Sequence, residues 1–81
     1  MRLEDYLREK YPDLTLTQAQ VAFAEQVDST RQTIDRYCRG QRYALPEMIA
    51  RIRKTTRGLV TAEDLLPPEY RETERERRAR A

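Results

Sequence analysis

Apolar side chains recur at helical spacing in four stretches of this 81-residue chain: Leu3, Tyr6 and Leu7; Phe23, Ala24 and Val27; Ile34, Tyr37 and Cys38; and Leu45, Met48, Ile49 and Ile52. Steps of three and four residues place each set on one stripe of a helix. The pattern predicts a first helix over Arg2 to Tyr11, stopped by Pro12. A second is predicted from Gln18 to Val27, entered through Thr17-Gln18-Ala19-Gln20, which has the spacing of a capping box. A third runs from Arg31 to Arg39, capped by Ser29 or Thr30 and ended by Gly40. Pro46 stands at the first position of a fourth, where its missing N–H costs nothing, and Gly58 closes it. Thr61-Ala62-Glu63-Asp64 introduces a short fifth helix bearing Leu65 and Leu66, terminated by Pro67-Pro68. Leu14 and Leu16 are expected to plug the core from the loop before the second helix. Only Leu59-Val60 hints at a strand, so the fold class is all-α, a compact bundle of four to five helices.

After residue 66 the composition changes. The stretch PEYRETERERRARA has no aliphatic side chain larger than Ala and mixes charges densely, so it lacks the apolar surface that offsets ordering. Residues 1–66 are therefore read as one domain and 67–81 as a charged tail, partly helical through pairs such as Glu74 with Arg78, or disordered. Its alternative use is as an arm that binds a partner.

At this length the core is thin. Hydrophobic residues make up 38% of the chain and charged residues 37%, which leaves no apolar run long enough to cross a membrane and no secretory leader pattern at the N-terminus. The single cysteine, Cys38, makes no internal disulfide and fits a reducing, cytoplasmic setting. On the apolar side of the third helix it reads as a small core residue. With no His, one Cys and two Gly, the chain offers no imidazole acid–base pair, no zinc cluster and no phosphate-cradling loop. Enzyme activity, a metal, a cofactor and a small-molecule substrate are not expected.

The net charge of +2 is strongly segregated. Residues 1–29 carry three basic and six acidic side chains, residues 30–57 eight basic and two acidic, and residues 58–81 five basic and six acidic. The middle block, at +6, coincides with the third helix and the segment C-terminal to it, and points to a polyanionic partner there.

Residues 20–40, QVAFAEQVDSTRQTIDRYCRG, read as two short helices on a tight turn, the second polar and basic on its outward face. Ala24 is small where two helices must cross closely. Asp28 stands where the chain turns, and Asp tolerates the left-handed backbone that such a turn needs. This layout resembles the DNA-binding domain of lambdoid phage repressors and Cro proteins over about residues 14–66. In that family a helix beginning with Gln has Ala fifth, an apolar residue eighth and Gly in the turn; Gln20, Ala24, Val27 and Asp28 fall on those places. Thr30, Ile34 and Gly40 match the entry, buried middle and end of the recognition helix. Asp28 in place of Gly and an early start of the second helix depart from the pattern.

The resemblance implies binding to double-stranded DNA, with Arg31, Gln32 and Arg36 facing base edges. Arg pairs bidentately with guanine and Gln with adenine. Asp35 is read as an orienting partner of Arg31 or Arg39. Thr17, Gln18 and Gln20 at the start of the second helix are candidate phosphate contacts, with the clamp itself open between Gln18 and Gln20. Thr30, Thr33, Arg39, Arg42 and Tyr43 complete that set, while Arg51, Arg53, Lys54 and Arg57 read as a solvated, attractive face. Family members commonly pair through the region of the fourth and fifth helices, which offers Leu59, Val60, Leu65 and Leu66 for a homodimer. The expected function is a Cro-like repressor acting as a dimer on a palindromic operator. The alternatives are an antitoxin-like or adaptor protein that binds a partner and autoregulates, and a DNA-packaging or recombination accessory protein.

Overall fold

The computed structural model describes residues 1–66, which form α1 (Leu3–Lys10), α2 (Leu16–Gln26), α3 (Arg31–Cys38), α4 (Pro46–Thr55) and a single 3₁₀ turn, Glu63–Leu65. No strand occurs among the described residues, so the chain is all-helical there. The expected tail at 67–81 lies outside them. The short fifth helix shrinks to that 3₁₀ turn, held by bonds in which Thr61 N–H and Oγ1 each reach Asp64 Oδ2 at 2.9 Å.

Both α1 and α2 start where local chemistry allows. Glu4 and Asp5 lie in the first turn of α1, and Arg8 and Lys10 in its last, each favourable to the helix dipole. Helix α2 begins two residues before the expected Gln18. Thr15, not Thr17, is its cap: the Thr15 hydroxyl accepts the Gln18 N–H at 3.2 Å, and Gln18 Oε1 accepts the Thr15 N–H at 3.0 Å. The stretch Leu14 to Gln20 offers the same Thr-x-x-Gln spacing twice. Thr17 loses because Gln20 is buried and bonded elsewhere.

Three helices end in one way. Past α2, Ser29 N–H reaches Ala24 C=O at 2.9 Å and Asp28 N–H reaches Glu25 C=O at 3.4 Å. Past α3, Gln41 N–H bonds Arg36 C=O and Gly40 N–H bonds Tyr37 C=O; past α4, Gly58 N–H bonds Arg53 C=O and Arg57 N–H bonds Lys54 C=O. Each is a Schellman closure, which requires a left-handed residue at the pivot. The pivots are Asp28 (φ 55°), Gly40 (φ 70°) and Arg57 (φ 55°). The residue that reverses the chain after α4 is therefore Arg57, with Gly58 (φ 82°) following it rather than closing the helix itself.

The core gathers Leu3, Tyr6 and Leu7 of α1, Ala19, Phe23, Ala24 and Val27 around α2, Ile34 and Tyr37 of α3, Ile52 of α4, and Val60 and Leu65 beyond it. Tyr6 meets Phe23 edge-on, with ring centroids 5.9 Å apart. Of the loop leucines, Leu16 packs against this core, but Leu14 is exposed. Leu45 is 69% exposed because it precedes the first turn of α4, leaving Met48, Ile49 and Ile52 as that helix's apolar stripe. Thr56 is buried and polar: its hydroxyl donates to Ile52 C=O at 2.8 Å and accepts the Val60 N–H at 3.2 Å, tying the exit of α4 to the segment behind it.

Val60 and Leu65 are 0% and 2% exposed, so they belong to this chain's own core. The expectation that they pair two copies is corrected accordingly. Leu59 is exposed and Leu66 half-buried.

A left-handed backbone costs a non-glycine L-residue about 1–2 kcal/mol, and less for Asp. Asp28→Gly and Arg57→Gly should therefore each be neutral or stabilising by up to about 1 kcal/mol, whereas Gly40→Ala should cost about 1 kcal/mol. Urea unfolding followed by circular dichroism measures all three. A clear loss of stability in Arg57→Gly would contradict the strain assigned to that pivot.

Candidate nucleic-acid interface

The α2–turn–α3 unit orients three faces of α3. Ile34 and Tyr37 point into the core. Gln32, Arg36 and Arg39 follow the i, i+4, i+7 stripe and are exposed. Arg31 and Asp35, one position before Gln32 and Arg36, turn toward α2 and are half-buried.

There they meet Gln20. Its side chain is 1% exposed and bonded at both ends of the amide: Nε2 donates to Asp35 Oδ1 at 3.1 Å, and Oε1 accepts from an Arg31 guanidinium nitrogen at 3.5 Å. Gln20 is therefore a buried strut between α2 and α3, and the expectation that it touches a phosphate is corrected. Arg39 Nε lies 3.0 Å from Asp35 Oδ2. The Gln20 amide, aided by Arg39 and opposed by partial burial, holds the Asp35 carboxyl below its ordinary range. Asp35 is thus an orienting partner of Arg39 directly and of Arg31 through Gln20. Burial pushes the neighbouring Cys38 thiol up to about 11, so it stays protonated and unreactive near neutral pH.

The remaining candidates divide. Thr30 caps α3, its hydroxyl accepting the Thr33 N–H at 3.2 Å and bonding the Thr33 hydroxyl at 3.0 Å. Thr17 and Gln18 are exposed in the first turn of α2, with the Gln18 side-chain Oε1 accepting the Thr15 N–H. Thr33, Tyr37, Arg42, Tyr43, Leu45 and Met48 line one shallow cleft between α3, the loop after it and α4. The structure thus brings Thr33, Arg42 and Tyr43 together, and sets them apart from the Gln20 strut.

Arg51 departs from the solvated face expected of it. One guanidinium nitrogen meets Glu47 Oε1 at 2.7 Å and another meets the Val27 C=O at 3.4 Å, which clips α4 to the C-terminal end of α2. Sequence reading missed this clip, the Gln20 strut and the buried Thr56. The signal for Gln20 was present: it sits four residues before Ala24 and three before Phe23, on the stripe that faces the core.

Comparison with protein-family models, with curated proteins and with solved structures gives no match to this chain. No helix among the described residues is long and apolar enough to cross a membrane.

Truncating Gln20 removes a buried amide and leaves Asp35 without its α2 partner. Gln20→Ala should destabilise the protein by roughly 2–3 kcal/mol through the cavity and the lost hydrogen bonds. Because the folded-state value for Asp35 is depressed, its contribution is present above the unfolded value of about 3.9 and is lost as pH falls through the folded value. Chemical unfolding from pH 2 to 7 should show a smaller acid-sensitive component in Gln20→Ala; an unchanged pH profile would remove Gln20 as the cause.

Proposed function

We propose that the protein is a sequence-specific, double-stranded DNA-binding regulator in which α2, the turn at Asp28 and α3 act as a helix-turn-helix. One observation carries the reading: the face of α3 turned away from the core presents Gln32 and Arg36, both exposed, with Arg39 at the helix C-cap paired to Asp35. These are side chains suited to base edges and phosphates, on the helix that opens the +6 segment of the chain. The sequence likeness to lambdoid repressors and Cro proteins supports the same assignment. In it, Gln32 and Arg36 reach base edges in the major groove, and Arg31 is steered by Gln20 at their side. Thr30 and Thr33 at the entry of α3 and Arg42 and Tyr43 beyond its exit meet the backbone, with Thr17 and Gln18 meeting it at the start of α2.

A lone unit of this size reads few base pairs, so two copies on a two-fold site, about one helical turn between half-site centres, make an operator distinct from competing sequence. With Val60 and Leu65 committed to the core, Leu59 and Leu66 remain for that pairing. The regulator acts in the cytoplasm, as a repressor of the Cro kind.

Binding to a duplex should fall on the order of 10²- to 10³-fold between 50 and 200 mM salt if roughly five phosphates are neutralised. On a site selected from random duplexes, Gln32→Ala and Arg36→Ala should each lower discrimination by about 1–3 kcal/mol, while Arg42→Ala weakens selected and random sites alike. Fluorescence anisotropy titrations with these duplexes provide the test. Salt-independent affinity, or no duplex binding at all, would sink the proposal.

A further inference from the structure

A carboxylate on the DNA-facing side of a helix repels a polyanion, and a freely solvated one would do little else. Asp35 is not freely solvated. Its side chain is 24% exposed; the buried Gln20 amide donates to one oxygen at 3.1 Å, and Arg39 Nε lies 3.0 Å from the other. Gln20 is packed into the core and fixes the carboxylate from below, while its own oxygen faces Arg31. The result is a chain of four groups, Arg31–Gln20–Asp35–Arg39, with a cation at each end and one anchored anion between them.

This arrangement matters because non-specific binding to a duplex is almost entirely phosphate neutralisation with release of counterions, whereas a cognate site adds base-edge bonds. An arginine already neutralised inside the protein releases fewer counterions, so the carboxylate weakens non-specific binding by a larger share. Resting on the duplex-binding reading above, we propose that Asp35 is a specificity-determining residue: it withholds Arg39 from the phosphates and restrains Arg31, so that Gln32 and Arg36 decide the affinity. Arg53, Lys54 and Arg57 at the end of α4 and in the turn after it supply long-range attraction without taking part in this selection.

The experiment compares the full chain with Asp35→Asn and Arg39→Gln on two probes, a selected duplex and a mixed-sequence duplex of equal length, over a salt series. Asp35→Asn is isosteric and keeps an oxygen for the Gln20 amide while removing the charge. It should steepen the salt dependence on mixed-sequence duplex by about one unit of log affinity per log salt, which is about a fourfold greater loss over a fourfold rise in salt. The ratio of selected to mixed-sequence affinity should fall. Arg39→Gln, at a side chain 65% exposed and outside the core, should leave the parent's salt dependence nearly unchanged, yet cancel the added steepness when combined with Asp35→Asn. Thermal unfolding of each variant checks that the fold is retained.

Equal salt dependence in folded Asp35→Asn and parent would overturn the inference. So would a full unit lost by Arg39→Gln alone, a result that holds even if Asp35→Asn fails to fold. In both cases duplex binding itself stands. If the parent binds neither duplex, the duplex-binding reading and this inference fall together.

Discussion

The junction between α2 and α3 governs the rest of the domain. At Asp28 the backbone enters the left-handed region, and the Ser29 N–H folds back to the Ala24 C=O at 2.9 Å. That closure leaves only Val27 to Thr30 between the two helices. With so short a connection, the direction of α3 is fixed by the pivot and by the side chains packed across the crossing. Ala24, almost fully buried and one residue into the last turn of α2, adds little bulk there. The same turn delivers Thr30 to the N-terminus of α3 as a cap, so one local conformation ends the first helix and starts the second.

A core of a dozen apolar side chains gives a domain of this size little margin, and polar groups inside it must be satisfied. Gln20 and Thr56 are the two buried polar side chains among the described residues, and each is bonded across a junction: Gln20 between α2 and α3, Thr56 between α4 and Val60. Neither is a generic core filler. Replacing an aliphatic side chain by an amide makes the crossing depend on one rotation and one register, because any other leaves Gln20, Asp35 or Arg31 unpaired. Arg51 acts similarly at the periphery, where its guanidinium meets the carbonyl end of α2.

Period and punctuation made the helices legible in the sequence. All four α-helices lie where the apolar stripes put them, and the left-handed Asp28 agrees with its place in the turn. The failures were choices between equivalent local signals. Thr15 and Thr17 both precede a Gln by three residues, and only the burial of Gln20 decides between them. Leu65 and Leu66 are adjacent and chemically alike, yet Leu65 at the end of the 3₁₀ turn is buried and Leu66, in the extended backbone that follows it, is partly exposed. Of the candidate surface residues, Gln32 and Arg36 could be placed by helical phase alone. Phase also puts Gln20 on the core-facing stripe, but the partners of Gln20 and Arg51 lie 15 and 24 positions away in the chain, so their contacts could not be read there.

The basic segment also looks different once its internal pairs are known. Its two acidic residues, Asp35 and Glu47, each face an arginine four positions later, Arg39 at 3.0 Å and Arg51 at 2.7 Å. The net +6 of residues 30–57 is therefore carried by Arg31, Arg36, Arg42, Arg53, Lys54 and Arg57. The first three lie on α3 and its exit loop, the last three on the end of α4 and the turn after it. Exposed i,i+4 pairs contribute little to stability, and mutual neutralisation is their larger effect on a charged partner. A molecule whose fold uses two arginines internally leaves a small, spaced set of cations on the α3 side. On that side the exposed, neutral Gln32 offers hydrogen-bond donors and an acceptor without adding charge.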